Sequence, residues 1–516
     1  MGKGTLGPQA GKTKQFVNMN KHFCALLLAF GLAAGTACAK DAGVTFKPDT
    51  VRVLRNPLCG WVMYVGRGWD ADFWQKEGYD AMSVGDSTVR VSDYANTCYI
   101  RTSWSSMEPE EGKYFWLDPS SKLNRLLKSA TDRGMKLAFR IVVDSRDQGQ
   151  NTPLYVKEAG AKGFQDPGNP KNWSPYPDDP VFQEKYAKFL KALATEFNDP
   201  DKVDFIDAFG LGKWGEAHGL VYGDYSKKEQ VFNWITTLYT KTFTRIPLII
   251  NYHRLVADTV SWAPVHPRSQ ALLESAIEKG YSLRHDAFGM TGYYEQWEKD
   301  FARKWNFRRP IIMEGGWITK AHHRYWIDPS GRYRQGHSED VRLGEYTDAR
   351  EGRVNMMDFR INDEVRSWFG TSFNLVKAFI AHGGYRLYPS SATLPGEAKA
   401  GSEVTLRSRW ENIGWGYCPT NIPQWNQKYK VGYALFKDGR AVRVFVDKRS
   451  DLSTWLLGKP ADCTLSVSLD GLDKGKYEWR MALVDTTKGN RPGLEIAVDA
   501  ALLDGGWLKV KEVTIR

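Results

Sequence analysis

Cysteine is scarce in this chain, with six in 516 residues, and only Cys59, Cys98, Cys418 and Cys463 lie beyond residue 39. Their wide spacing excludes a zinc knuckle. In an oxidising compartment Cys59–Cys98 or Cys418–Cys463 can bridge, although lone buried thiols are the simpler reading. Beyond residue 39 there is no apolar run long enough to cross a bilayer. There is also no basic stripe, because acidic residues are mixed in throughout. Nucleic acid is therefore not a favoured partner, while an acidic glycan stays open. No serine-centred nucleophile elbow and no phosphate-binding glycine loop is present. The adjacent pair His322-His323 points apart and has no acidic partner at ligand spacing, so no metal site is expected. Nothing in the sequence calls for a cofactor.

What is present begins with an export pattern. Residues 1–18 read as an upstream extension. From Met19, Lys21 supplies charge, Cys24 to Ala34 an apolar region, and Ala37-Cys38-Ala39 a small-residue cleavage site. A lipid anchor at Cys38 is the alternative to cleavage there, with Gly35 standing where a lipobox usually has leucine. The first 39 residues hold four lysines and no acid, so their removal takes the formal charge from +11 to +7. The expected location is periplasmic or extracellular, soluble or tethered only at its start. Twenty tryptophans and twenty-four tyrosines are an excess that pyranose-stacking clefts would use.

Two stretches carry the chemistry. Phe205-Ile206-Asp207-Ala208-Phe209 starts as a buried strand and passes through three glycines and Trp214 to deliver Glu216 and His218. Arg309-Pro310-Ile311-Ile312-Met313-Glu314-Gly315-Gly316-Trp317 repeats the pattern. A carboxyl group beside Trp214 would have its pKa raised by an apolar surround.

Around these stretches, apolar runs alternate with helical spacing. Strands are expected at 58–65, 97–103, 136–143, 204–210, 246–252, 286–291, 310–313 and 384–387. Helices are expected near 123–134, 182–197, 231–239, 271–277 and 372–381. Eight such strands over 56–390 predict an α/β fold, a (β/α)8 TIM barrel, after an extended lead-in at 40–55. Residues 318–365 read as a long polar insertion, restricting access to the mouth, and Asp328 and Asp358 within it are acids of unassigned role. Beyond the linker Leu394-Pro395-Gly396-Glu397, short strands separated by turn signals predict an all-β sandwich over 397–516. It is read chiefly as a packing partner for the barrel.

Chemistry in such barrels sits at the C-terminal strand ends. The residues expected there are Trp61, Arg101, Trp104, Asp144, Trp214, Glu216, His218, Asn251, His253, Tyr293, Glu314, Trp317 and Tyr388. Each tryptophan reads equally as core or as stacking surface. Arg101 and Arg140 either bridge barrel acids or, Arg101 above all, touch substrate. Glu216 and Glu314 fall on strands four and seven, on opposite walls of one mouth, a separation that can hold a sugar ring between two carboxylates.

On these residues the chain resembles the clan A glycoside hydrolases, barrel enzymes that include β-galactosidases, mannanases and cellulases. Trp104 to Tyr114 looks like that clan's loop after strand two. The resemblance covers 56–390, and it implies Glu216 as acid/base and Glu314 as nucleophile of a retaining enzyme. Gly215 stands where the clan has asparagine, which leaves Asn251 or His253 to hold the sugar 2-hydroxyl. The stretch Trp410-Glu411-Asn412-Ile413-Gly414 looks like the sandwich that follows such barrels in uncharacterised secreted bacterial proteins. The expectation is a secreted glycosidase acting on an oligosaccharide or polysaccharide. The rivals are a non-catalytic glycan-binding barrel and a structural surface protein.

Overall fold

The structure is a computed structural model that describes residues 43–66, 68–146, 149–260, 263–316 and 330–516. Eight parallel strands close into a barrel: β1 (Gly60–Val65), β2 (Ala95–Ser103), β3 (Lys136–Val142), β4 (Val203–Asp207), β5 (Leu248–Asn251), β6 (Ser282–Phe288), β7 (Ile311–Gly315) and β8 (Met356–Asp358). The helices packed outside are α1 (Lys122–Asp132), α2 (Pro180–Phe197), α3 (Lys228–Thr242), α4 (Pro267–Glu278), α5 (Gln296–Trp305), α6 (Ser338–Glu351), α7 (Asp363–Gly370) and α8 (Phe373–His382). The expected (β/α)8 barrel is therefore the fold. Helix α2 shows how local sequence sets it. Pro180 occupies the first turn, the Asp179 side chain caps the Phe182 N–H, and Phe182, Tyr186, Phe189, Leu190, Leu193 and Phe197 form one buried stripe.

Two strands differ from expectation. The sixth strand starts at Ser282 rather than 286. The eighth is Met356–Asp358, inside the stretch read as an insertion, not 384–387. That stretch holds α6, whose inner face buries Arg342, Glu345 and Asp348 instead of an apolar stripe. A helix that buries ion-paired polar groups leaves no amphipathic pattern, and a three-residue strand is too short for alternation to register.

The C-terminal region is two packed sheets. One orders Val44–Thr45, β9 (Leu387–Thr393), β10 (Glu403–Asn412) and β13 (Ala461–Ser468); the other is built on β11 (Tyr429–Lys437), β12 (Arg440–Asp447), β14 (Gly475–Asp485) and β15 (Trp507–Ile515). Leu406 and Trp410 of the first sheet share a core with Tyr433, Trp479 and Met481 of the second. The lead-in thus joins the sandwich, pairing Val44 with Ala392. The expected linker is also part of it: Glu397–Ala398 pairs with β15, and the Pro395 carbonyl accepts a hydrogen bond from Trp479 Nε1 at 3.0 Å. All four cysteines are free and buried.

The sandwich seals the N-terminal end of the barrel. Tyr385 Oη donates to the Pro57 carbonyl at 2.6 Å, Trp415 Nε1 to Val354 at 2.9 Å, and Asn355 Nδ2 to Tyr417 at 2.8 Å. The sandwich core runs without a break into the lower barrel interior, where Val62, Ala138, Phe205, Ile249, Ile312 and Met356 meet. The opposite end is left for chemistry.

Candidate active site

Side chains on a strand alternate faces, so the residue two positions after each inward apolar side chain also points inward, one tier higher. From Val62, Tyr99, Ala138, Phe205, Ile249, Ile312 and Met356 the next tier is Tyr64, Arg101, Arg140, Asp207, Asn251, Glu314 and Asp358. Strand β6 adds Arg284 and Asp286. The pairing agrees, with Arg140 beside Asp207, Asn251 beside Arg284, and Arg101 beside Arg140. An apolar plug thus supports a charged layer at the C-terminal strand ends.

Arg140 is the hub of that layer. Its Nε meets Asp207 at 2.7 Å, its Nη1 meets Glu216 at 2.7 Å, and its Nη2 lies 3.6 Å from Glu314. Glu216 and Glu314 therefore sit across one guanidinium. Arg284 also pairs with Glu314, lies 3.7 Å from Asp358 and stacks 4.4 Å over the Tyr99 ring. Arg360 approaches Glu314 at 3.5 Å from the other side. It stands just past β8 at a φ of 58°, with its backbone N–H donating to the Asp358 carboxylate. Left-handed backbone at a non-glycine residue is strained, and it persists only where the surroundings enforce it.

Glu216 lies in the loop after β4, whose backbone turns repeatedly through the left-handed region. Trp214 and Ala217 adopt φ of 57° and 63°. At Gly212 (φ 81°) a side chain would collide with the His218 carbonyl, and at Gly215 (φ 75°) a Cβ would lie 3.4 Å from Arg140 Cδ. Lys213 N–H donates to the His218 carbonyl at 2.9 Å, and Asn251 Nδ2 to the Glu216 carbonyl at 3.2 Å. His218 Nε2 lies 3.5 Å from the Glu216 carboxylate, and the His218 ring stacks on His253 at 4.7 Å.

Burial alone would raise the Glu216 carboxyl, but Arg140, the His218 hydrogen bond and Arg101 outweigh it and hold the group well below the usual carboxylate range. Trp214, half-buried, does not impose the rise expected from an apolar neighbour. Glu314 is likewise held down against its burial by Arg284, Arg360 and Arg140. Asp286 goes the other way: burial, then Glu216 and Glu314, push it up to about 7. Asp358 is pushed up to about 7 by burial and Glu314. Burial and the neighbouring His218 and His285 hold His253 well below its ordinary value, so its ring is neutral.

Above this layer lies an open cleft of two adjoining chambers. The smaller, about 180 Å³, is lined by Arg101, Trp214, Glu216, Asp286 and Arg360. The larger, about 500 Å³, is lined by Arg101 and Arg360 again, with Tyr64, Thr102, Ser103 and Asn151 among its other walls.

No family model and no curated protein matches the sequence. Solved structures similar in fold include an endo-β-1,4-mannanase from Thermotoga petrophila, 12% identical, with 90% of this chain and 98% of that one covered and a TM-score of 0.39. Another is the exo-β-1,4-mannosidase Op5Man5 from Opitutaceae bacterium strain TAV5, at 15% identity, 65% and 62% coverage and TM-score 0.37. The endo-glycoceramidase II from Rhodococcus sp. is 14% identical over 82% and 99%, with TM-score 0.35. At this level the likeness adds nothing to the barrel topology read directly above.

Of the residues expected at the mouth, Glu216, Glu314, Arg101, Trp214, His218, Asn251 and His253 come together. Trp61 does not reach the cleft. It stacks on Phe359 at 4.2 Å and donates to the Val376 carbonyl, between barrel and helices. Trp104 packs against Tyr186 and Phe189 and donates to Glu108 at 2.8 Å. Tyr388 lies on β9 in the sandwich, because the eighth barrel strand is not where it was expected. Tyr293 packs against the small cluster of Ala287, Met290, Tyr333 and Val341. Asp144 is held by Arg146 at 2.6 Å. Trp317, His322, His323 and Asp328 lie outside the described residues. The expectation missed Arg284, Asp286 and Arg360. Placing β6 four residues late hid the alternation of Arg284 and Asp286, and the short β8 hid Arg360.

Proposed function

We propose that this cleft is the active site of a glycoside hydrolase. The observation that carries the reading is the convergence of Glu216 and Glu314, from the loop after strand four and from strand seven, on the Arg140 guanidinium, with Glu216 on the wall of the open cleft and Glu314 buried behind it. In this reading Glu314, kept ionised by its three arginines, attacks the anomeric carbon and forms a glycosyl-enzyme. Glu216 serves the leaving oxygen, then deprotonates the water that releases the sugar, so configuration is retained. Asp286, which shares the cleft wall with Glu216 and is pushed up to about 7, supplies the proton; it passes by way of Glu216 to the leaving oxygen, and the proton that Glu216 later takes from water returns to Asp286. Trp214 offers the sugar a stacking face on the cleft wall, while the buried Asn251 and His253 hold the Glu216 loop, Asn251 through the Glu216 carbonyl and His253 through the His218 ring.

The substrate is an oligosaccharide or polysaccharide, and the export pattern makes the enzyme periplasmic or extracellular. Cell fractionation tests that location. Release of reducing ends from a glycan panel, with the product anomer read by proton NMR, tests the chemistry. Loss of hydrolysis in both Glu216→Gln and Glu314→Gln, with retained folding, is the expected result.

One observation favours a non-catalytic glycan-binding barrel: Glu314 is fully buried and ion-paired on three sides. That reading requires saturable glycan binding without turnover, and binding indifferent to Glu216→Gln.

A further inference from the structure

The two chambers of the cleft differ in charge. The smaller carries Glu216 and Asp286 on its wall. No acidic residue lines the larger among the described residues, yet Arg101 and Arg360 both face it. Arg360 shares Glu314 with two other arginines. Arg101 is placed differently. Its Nη1 donates to Tyr64 Oη at 3.0 Å, while its buried Nε and Nη2 make no hydrogen bond to the described residues. Among those residues no close ion pair holds it, and Glu216 attracts it only from across the smaller chamber. A guanidinium is a planar fork whose donors match two oxygens of a carboxylate or sulfate, and leaving such donors without an acceptor in a buried site is costly. The rest of the lining, Tyr64, Gly66, Thr102, Ser103, Asn151 and Ile361, is uncharged, so nothing in it repels an anion.

We propose that the larger chamber receives a sugar unit bearing an anionic group, a uronate carboxylate or a sulfate ester, and that Arg101, with Arg360 beside it, takes that group. The inference rests on the hydrolase reading for its substrate class but not for its geometry. Seated there, the charged unit adjoins the chamber that holds Glu216. Arg101 is then a specificity determinant, whereas Glu216 and Glu314 act on the bond.

Isothermal titration of the full chain with galacturonic acid, its methyl ester, galactose and inorganic sulfate tests this. The expected result is binding of galacturonic acid at least tenfold tighter than of its methyl ester or galactose, weakened at least tenfold in Arg101→Gln. Competition by sulfate at concentrations comparable to the acid assigns the chamber to sulfate esters; binding of the acid with no such competition assigns it to carboxylates. Equal binding of acid and ester, binding of none of the four, or an Arg101→Gln protein of unchanged melting temperature that binds the acid as tightly as before overturns the inference. If Arg101→Gln does not fold, the comparison of acid with ester on the unaltered chain decides. Turnover is not read in this titration. Charge-selective binding without hydrolysis of any glycan therefore sinks the hydrolase reading alone, and hydrolysis of neutral glycans with no charge selectivity sinks this inference alone.

Discussion

The two ends of the barrel are built from the same eight strands but differ in chemistry. At the N-terminal end, Tyr385, Trp415 and Asn355 close the interior with neutral hydrogen bonds over an apolar plug. At the C-terminal end, four arginines and five carboxylates (Arg101, Arg140, Arg284, Arg360, Asp207, Glu216, Asp286, Glu314 and Asp358) occupy the tier above. Burying charge costs several kcal/mol per ion even when paired, and apolar residues of similar volume are often at least as stabilising. The lower end buries an acid as well, Asp204, but satisfies it with neutral donors, the Leu58 N–H at 2.8 Å and the Thr97 hydroxyl at 2.7 Å, rather than with a network of paired ions. Apolar residues would pack that tier at least as stably, so its charges are what the proposed hydrolysis or anion binding accounts for.

The comparison sharpens most at Glu314. Glu314→Gln should lower kcat/KM by roughly a thousandfold or more, the scale of removing an essential acid, base or nucleophile, as read by initial rates on whichever glycan the panel identifies. Arg140→Met should cost about 3–5 kcal/mol of stability in denaturant unfolding, because it leaves Asp207, Glu216 and Glu314 without their shared cation. The two glutamates are held below their ordinary value of 4.5, so their ion pairs stabilise above that pH. This contribution is lost as pH falls through the depressed values, and the deficit of Arg140→Met should shrink on acidification. Asp286 should next show itself in the pH–rate profile. The proton-bearing form is the active one, so the rate falls as pH rises through about 7. Asp286→Asn should be about a hundredfold slower and lose that limb. The smallest effect belongs to the sealed end. Asn355→Ala gives up hydrogen bonds to Leu58 and Tyr417 and should cost about 1–3 kcal/mol. Its kcat/KM should be unchanged per folded molecule; a large loss of activity there would break the division between the two ends.

The tryptophans teach the same division in smaller compass. Trp61, Trp104 and Trp214 read alike in sequence, since each lies in or just after a strand pattern near glycine or serine. The first two are core, packed between barrel and helices, and only Trp214 lines the cleft. An indole serves packing and sugar stacking equally well, so composition does not separate them; the direction of the side chain does.

By itself the sequence determined the architecture class and pointed to two glutamates that the barrel brings to one guanidinium. Apolar runs alternating with helical stripes predict a barrel when about eight of them follow one another, and a glutamate beside glycines at a strand end is legible without neighbours. The closing strand, the charge state of Glu216 and the roles of Arg284, Asp286 and Arg360 were decided only by tertiary structure. A three-residue strand is held by its flanking strands rather than by its own pattern, and the Glu216 pKa is set by burial and by cations brought from two other strands. The Glu216 carboxyl, expected to rise beside Trp214, is instead held down by Arg140 of β3. Strand alternation says that Arg140 points inward; only the closed barrel says which carboxylates it meets there.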